Sequence, residues 1–259
     1  MKRLILGLAA LVPLLGGVGQ AKAGLINLAI VEADPGDVPV SQLMATGLFS
    51  NVTDISASNS TPTLAQLNGF DAVLAYTNFI PADGTALGNV LAQYADEGHQ
   101  VTLATYSFSD PWAIGGQMAT PGYSPLVNLG VNGDVSGNLV AVNPSDPMFN
   151  GINLSNVVYF HNGNFAHPGL DSGATLLATD GSGIDMIARN SKGNIVGFNL
   201  FPGAGENNNS EFYQLLGQTL EPFAPPPPPS VPEPASLTML SIGALCSVVC
   251  CWRRRRQSV

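Results

Sequence analysis

One stretch in the first half of the chain restricts the fold more than any other, because two apolar runs flank a helical pattern there. Residues 70–76 (FDAVLAY) and 101–106 (VTLATY) are typical of buried strands, and residues 83–97 carry apolar side chains at helical spacing. A strand, a helix and a second strand in this order form a right-handed crossover, which joins parallel strands. The stretch therefore predicts the α/β class.

The flanking segments extend this pattern to a single domain over residues 24–221. Upstream we predict strands at residues 25–33 and 52–57, a helix at 40–49 and a helical turn at 63–67. Downstream we predict short strands at residues 138–142, 157–160, 175–179, 185–189 and 195–199, and a last helix at 211–220. We expect three layers around a mainly parallel sheet. The alternative is an all-β sandwich, which requires that residues 83–97 form no helix.

Charge and cysteine placement exclude several classes of function. Residues 24–230 contain 17 acidic side chains and two basic ones, Arg189 and Lys192, a net charge of −15. A surface this acidic repels nucleic acid and anionic lipid, so no nucleic-acid partner is expected. The three cysteines, Cys246, Cys250 and Cys251, all lie near the C-terminus. Residues 24–230 therefore hold no disulfide, thiolate nucleophile or cysteine metal ligand.

The N-terminus has the pattern of a secretory signal peptide at residues 1–23. A basic start is followed by an apolar core that is rich in leucine, glycine and alanine. Ala21 and Ala23 flank Lys22 in a small-x-small cleavage site. We therefore expect secretion machinery and signal peptidase as partners, and export of the mature chain.

The C-terminus combines three elements in a fixed order. A proline-rich linker at residues 222–230 precedes the motif Val231, Pro232, Glu233 and Pro234, and residues 235–252 then carry no charge. The basic residues Arg253, Arg254, Arg255 and Arg256 follow. A helix over the uncharged segment would be about 27 Å long, enough to cross a thin bilayer core. Because arginines stay on the cytoplasmic side, residues 235–252 are predicted as a single transmembrane helix with the domain outside.

This order resembles the PEP-CTERM sorting signal that bacterial exosortases recognise and process, and it covers residues 231–259. The resemblance implies an exosortase-like processing enzyme as a partner, with exopolysaccharide as a further one. It also implies a protein anchored in the inner membrane by its C-terminal helix, then released to the cell surface or the medium after processing. The alternative is an ordinary membrane anchor that is never cut.

The domain itself resembles the class I glutamine amidotransferase-like fold, a flavodoxin-like architecture, and in particular its ThuA-like members. The resemblance covers about residues 25–220 and is carried by residues 67–74 (LNGFDAVL), 94–98 (YADEG), 143–152 (NPSDPMFNGI) and 193–202 (GNIVGFNLFP). It implies a catalytic cysteine on a tight strand-to-helix elbow and a partner histidine after the last core strand.

Neither implied catalytic residue is present. The elbow falls at Thr105 or Tyr106, and residues 199–202 after the last core strand read NLFP. We therefore predict no catalytic residue and no amidotransferase chemistry. Open α/β sheets bind ligands at the carboxyl ends of their strands. The predicted ligand cleft accordingly comprises Glu32, Asp34, Asp37, Thr105 and Tyr106.

Other side chains give weaker hypotheses. His161, His167 and Asp171 are weak candidates for a divalent-metal site, although hydrogen-bonded loop histidines are the favoured interpretation. The carboxylates of Glu32, Asp34 and Asp37 could bind Ca²⁺ or act as acid and base on a sugar. The aromatic residues Phe108, Trp112 and Tyr123 could form a platform for polysaccharide, or pack a long loop onto the domain.

Three classes of function follow from these patterns. The first is a surface or extracellular-matrix protein whose non-catalytic, amidotransferase-like domain serves binding or structure. The second is a hydrolase or isomerase of envelope carbohydrate, and the third a cation-binding acidic envelope component. No cofactor is expected, with a divalent cation as the alternative. The first class is favoured, because the residues that the fold's known chemistry requires are missing.

Overall fold

The structure of the protein is a computed structural model that describes residues 25–222. Within this range, no helix is both long and apolar enough to cross a membrane. The predicted signal peptide (residues 1–23), nearly all of the proline-rich linker, the sorting motif, the transmembrane helix (235–252) and the basic tail (253–256) lie outside the described residues. Those interpretations stay predictions.

Twelve strands and four α-helices make up the described chain. The strands are β1 (Ile26–Ala33), β2 (Phe49–Ser56), β3 (Ala72–Thr77), β4 (Gln100–Ala104), β5 (Leu126–Val127), β6 (Asn132–Gly133), β7 (Val140–Ala141), β8 (Phe165–Ala166), β9 (Gly169–Leu170), β10 (Thr175–Thr179), β11 (Asp185–Arg189) and β12 (Ile195–Phe198). The helices are α1 (Val40–Ala45), α2 (Leu64–Leu67), α3 (Gly84–Asp96) and α4 (Ser210–Gln218).

Eight of these strands form one sheet in the order β2-β1-β3-β4-β12-β11-β10-β7. The first five are parallel to one another, and the last three continue the sheet antiparallel. The prediction of a mainly parallel α/β sheet is therefore confirmed. The sandwich alternative is wrong, because residues 84–96 form the helix α3 that it forbids.

Helices cover both faces of the parallel strands. On one face, Leu43 of α1 and Phe212 of α4 pack in one cluster with Leu28 and Ile30 of β1. On the other face, Leu87 and Leu91 of α3 pack with Ala29 and Val31 of the same strand. All six residues of β3 are buried. A parallel sheet buried on both faces reads as continuous apolar runs, which explains the sequence pattern of these strands.

Three local predictions need correction. The helix expected at residues 40–49 ends at Ala45, because Gly47 adopts a φ of +73° and Phe49 already belongs to β2. Residues 157–160 are not a strand, since the side chains of Asn209 and Asn208 accept the N–H groups of Val158 and Phe160 in place of a neighbouring strand. The two-residue strands β5, β6, β8 and β9 were not predicted, because they are too short to show a period.

The approach of α3 to the loop after β4 gives a first testable prediction. A Cβ atom at Gly88 would lie 1.9 Å from the carbonyl oxygen of Gly115. We expect Gly88→Ala to lower the free energy of unfolding by about 1–3 kcal/mol, because overpacking exceeds the gain of about 1 kcal/mol in helix propensity. Urea denaturation measures the change.

Gly69→Ala is the matched control. The nearest atom to a Cβ at Gly69 would be 3.6 Å away, an ordinary contact distance. This variant should unfold within about 0.5 kcal/mol of the wild type. Wild-type stability in Gly88→Ala would contradict the packing described for α3.

Candidate functional site

The carboxyl ends of the central parallel strands meet at one edge of the sheet, called here the carboxyl edge. Glu32 of β1 is paired in register with Tyr76 of β3, and Phe198 of β12 with Ala104 of β4. The residues that follow these strands therefore come together. Ligands of open α/β sheets bind at this kind of edge.

Four acidic residues gather at the carboxyl edge, and we call Glu32, Asp34, Asp37 and Glu206 the carboxylate cluster. Glu32 is fully buried and Asp34 is 5% exposed. One carboxylate oxygen of Glu32, Oε2, accepts the backbone N–H of Asp34. Asn78, which follows β3, donates its amide to Oδ2 of Asp34 over 3.1 Å. Glu32 and Asp34 are thus held in place by hydrogen bonds at the ends of the neighbouring strands β1 and β3.

Asp37 attaches the loop after β12 to this edge. Its carboxylate accepts the backbone N–H of Gly205, and its carbonyl oxygen accepts the Tyr76 hydroxyl over 3.0 Å. A Cβ atom at Gly203 would lie 2.1 Å from Oδ2 of Asp37, so only glycine allows this approach. The loop brings Glu206 into the cluster. Sequence reasoning missed Glu206, and the only signal for it is the small-residue run at residues 203–205.

Burial and the repulsion of neighbouring carboxylates raise the pKa of two members of the cluster, Asp34 and Glu206. Burial raises the pKa of Asp34, the charges of Asp37 and Glu32 raise it further, and the hydrogen bond from Asn78 opposes the change. The pKa of Glu206 is raised by burial and then by Asp37 and Asp34. Among the described residues, both basic side chains form their ion pairs elsewhere: Arg189 with Asp146 and Lys192 with Asp96. Neither of these two ion pairs involves a member of the carboxylate cluster.

A group of aromatic rings lines the other side of the carboxyl edge. The ring of Tyr106 lies 5.4 Å from that of Trp112 and 5.5 Å from that of Phe201, measured between centroids. Asn162 donates its amide to the Tyr106 hydroxyl. Burial raises the pKa of Tyr106 to about 12, with smaller contributions from Glu206 and Asp34. Trp112, which contacts Tyr106, is only half-buried and is therefore partly exposed to solvent.

Thr105 and Asn199, which directly follow β4 and β12, are joined by a hydrogen bond. The Thr105 hydroxyl donates to Oδ1 of Asn199 over 2.5 Å, and both residues are fully buried. The amide of Asn199 in turn donates to the carbonyl oxygen of Ala166 over 2.8 Å. The Thr105 hydroxyl is thus committed to an internal acceptor rather than turned toward a ligand.

The predicted cleft residues differ in how a ligand would reach them. Glu32, Asp34, Thr105 and Tyr106 are each at most 5% exposed, whereas Asp37 is half-buried. A ligand arriving from solvent would therefore meet Asp37, Glu206 and Trp112 first. Two shallow depressions contain none of the predicted cleft residues in their linings. One of about 310 Å³ lies beside Phe149 and Ile152, and one of about 290 Å³ lies between α1 and α4.

The weaker candidates are not brought together. His161 and His167 each contact a backbone carbonyl oxygen, of Val135 and Asp134, and Asp171 accepts the N–H of Gly122. Residues 25–222 form no group of three or more histidine, cysteine or acidic side chains placed to hold a metal ion. Phe108, Trp112 and Tyr123 do not form one aromatic surface either. Phe108 is buried in the core, and the Tyr123 hydroxyl contacts Asp96 at the end of α3.

Comparisons with known proteins match this fold. A putative ThuA-like protein from Bacteroides uniformis is similar at 12% identity and a TM-score of 0.51, with 78% of this chain and 94% of that chain covered. PurLQS from Thermotoga maritima has 12% identity and a TM-score of 0.48, with 76% and 98% covered. A putative GMP synthase protein from Thermoplasma acidophilum has 13% identity and a TM-score of 0.47, with 74% and 92% covered.

No sequence family and no curated protein matches the chain. The likeness to the ThuA-like protein, at 12% identity, concerns the fold alone. The described domain therefore has the α/β, amidotransferase-like fold that the sequence resemblance implied. Its function has to be argued from its own residues.

The raised pKa of Asp34 gives a second testable prediction. A carboxyl with a raised pKa in the folded state contributes stability below its unfolded pKa, near 3.8, and loses it as the pH rises through the folded value. Asp34→Asn stays neutral and keeps an acceptor for Asn78. We expect it to raise the Tm at pH 7 and to leave the Tm at pH 3.5 nearly unchanged.

Thermal denaturation at both pH values, compared with Asp134→Asn, checks this prediction. Asp134 is exposed and lies outside the carboxylate cluster, so its substitution should change neither Tm by more than about 1 °C. If Asp34→Asn changed the Tm by the same amount at pH 7 and at pH 3.5, this result would contradict a raised pKa of Asp34 in the folded protein.

Proposed function

We propose that the protein is an exported envelope protein whose amidotransferase-like domain binds a ligand at the carboxyl edge without the chemistry of that fold family. The observation that carries the proposal is the hydrogen bond between Thr105 and Asn199. These residues stand where the resemblance implies the cysteine elbow and the segment of the partner histidine. A scaffold that keeps its fold without these residues is suited to binding.

The cellular part of the proposal rests on the two ends of the sequence. The signal-peptide pattern at residues 1–23 supports export, and the motif, apolar segment and arginines at residues 231–256 support membrane anchoring and exosortase-type processing. The acidic surface of residues 24–230 fits an envelope location, because it is not drawn onto anionic lipid headgroups. Exopolysaccharide is the proposed neighbour of the domain after processing.

A carbohydrate hydrolase or isomerase is the second candidate function. The observation that favours it is the raised pKa of two carboxyls in one cluster, Asp34 and Glu206. Carboxyl groups with raised pKa values are candidates for acid–base work. Release of reducing sugar from envelope polysaccharide, abolished in Glu206→Gln, would support this candidate over binding alone.

Processing is tested by the intact mass of the envelope form in the bacterium that encodes the protein. We expect a mature chain that begins after Ala23 and ends near Pro234, and Glu233→Ala should retain the whole tail because the motif is broken. Glu221→Ala, the same substitution outside the motif, should be processed like the wild type. A wild-type chain that keeps Arg253 to Arg256 would refute processing but not anchoring.

Binding is tested by affinity electrophoresis in gels that contain the exopolysaccharide of the same bacterium. The wild-type protein should be retarded, and Trp112→Ala should migrate faster by losing an aromatic surface at the carboxyl edge. Tyr123→Ala removes an aromatic ring whose hydroxyl contacts Asp96 at the end of α3, and this variant should migrate like the wild type. Equal migration of all three proteins with and without polysaccharide would refute binding.

A further inference from the structure

We infer that residues 223–229 (FAPPPPP), the first part of the proline-rich linker, bind in a groove on the surface of the domain that precedes them. This groove of about 310 Å³ lies beside β7, and we call it the edge groove. The inference concerns how the domain is joined to its own tail, and it does not depend on the proposed carbohydrate binding. The lining of the edge groove includes Ala141, Pro144, Phe149, Ile152, Leu154 and Ser155.

The first argument is the place where the chain leaves the domain. α4 ends at Gln218, whose side-chain amide donates to the carbonyl oxygen of Asn150 over 2.9 Å. Asn150 directly follows Phe149 and comes two positions before Ile152, and both of these residues line the edge groove. Residue 223 is five positions beyond Gln218, and five residues span at most about 17 Å. The linker therefore begins within reach of the groove.

The second argument is the chemical match between the groove and this segment. None of the described residues that line the groove is charged, and Phe149, Ile152 and Leu154 give it an apolar floor. Residues 223–229 likewise carry no charge, and they consist of one aromatic residue, one alanine and five prolines. Proline-rich segments adopt the extended polyproline II helix, which binds in grooves lined by aromatic side chains at a low cost in conformational entropy.

The third argument is the position of β7 at the end of the main sheet. β7 pairs with β10 on one side, and no strand of the described chain pairs with its other side. Open strand edges favour pairing with other chains, and proteins commonly cover them with a helix or a loop. A polyproline segment has no N–H groups, so it covers an edge without continuing the sheet. A tethered segment is also present at millimolar effective concentration, which favours it over a second copy of the protein.

Binding of the linker shortens the free connection between the domain and the predicted transmembrane helix. Without binding, residues 222–234 span about 40 Å in the polyproline II form. With residues 223–229 in the groove, only residues 230–234 remain free, and these span about 16 Å. The edge groove would thus hold the domain close to the membrane and next to the predicted sorting motif.

Photo-cross-linking of the full chain in detergent tests the inference. The photoreactive residue p-benzoylphenylalanine replaces Ser155, an exposed residue of the groove lining, and mass spectrometry maps the cross-links after irradiation. We expect cross-links within one chain to residues 223–229. The control places the same photoreactive residue at Phe79, which is exposed and follows β3, five strands away from β7 in the sheet. This control should give no cross-link to the linker.

A linker variant of equal length separates binding from proximity. It carries Phe223→Ser and alternating glycine and serine at positions 225–229, so the linker stays tethered but becomes a flexible coil without rings. The yield of cross-links from position 155 should fall at least about fivefold, because a coil visits the groove without binding in it. Equal yields from the two linkers, cross-links that join two copies of the chain, or no cross-link to residues 223–229 would overturn the inference. The Tm of each variant confirms that the domain is folded.

Discussion

Burial of the parallel strands on both faces is the constraint on which the rest of this structure depends. α1 and α4 cover one face and α3 covers the other, and every residue of β3 is withdrawn from solvent. Polar side chains on such strands would lose water without gaining partners. They are therefore concentrated where the strands end, and the turns and loops at those ends decide which of them meet.

The carboxyl edge combines a buried polar pair with carboxylates that lie nearer to solvent. Thr105 and Asn199 directly follow β4 and β12, and they satisfy each other by a buried hydrogen bond. Within the carboxylate cluster, the acids nearest to solvent are Asp37 and Glu206. Acidic side chains at this edge attract cations.

The parts of the fold that follow from local periodicity could be predicted from the sequence. Residues 70–106 encode two buried strands and an amphipathic helix, and β10, β11 and α3 were predicted within a residue of their observed bounds. The place of Glu206 could not be predicted, because its loop is held by a hydrogen bond between Gly205 and Asp37. These two residues are 168 positions apart in the sequence. The strand predicted at residues 157–160 does not form, for a related reason. Asparagine side chains that are distant in the sequence accept the backbone N–H groups of Val158 and Phe160.

The central claim is that the fold holds uncompensated carboxyl groups at the carboxyl edge. Carbon-detected NMR of the side-chain carboxyls, followed as a function of pH without ligand, tests it most directly. The account predicts that Asp34 titrates above the ordinary value of 3.8 and Glu206 above 4.5. Titration of both groups at or below these values would mean that a cation or a hydrogen-bond donor already compensates them, and would contradict the account.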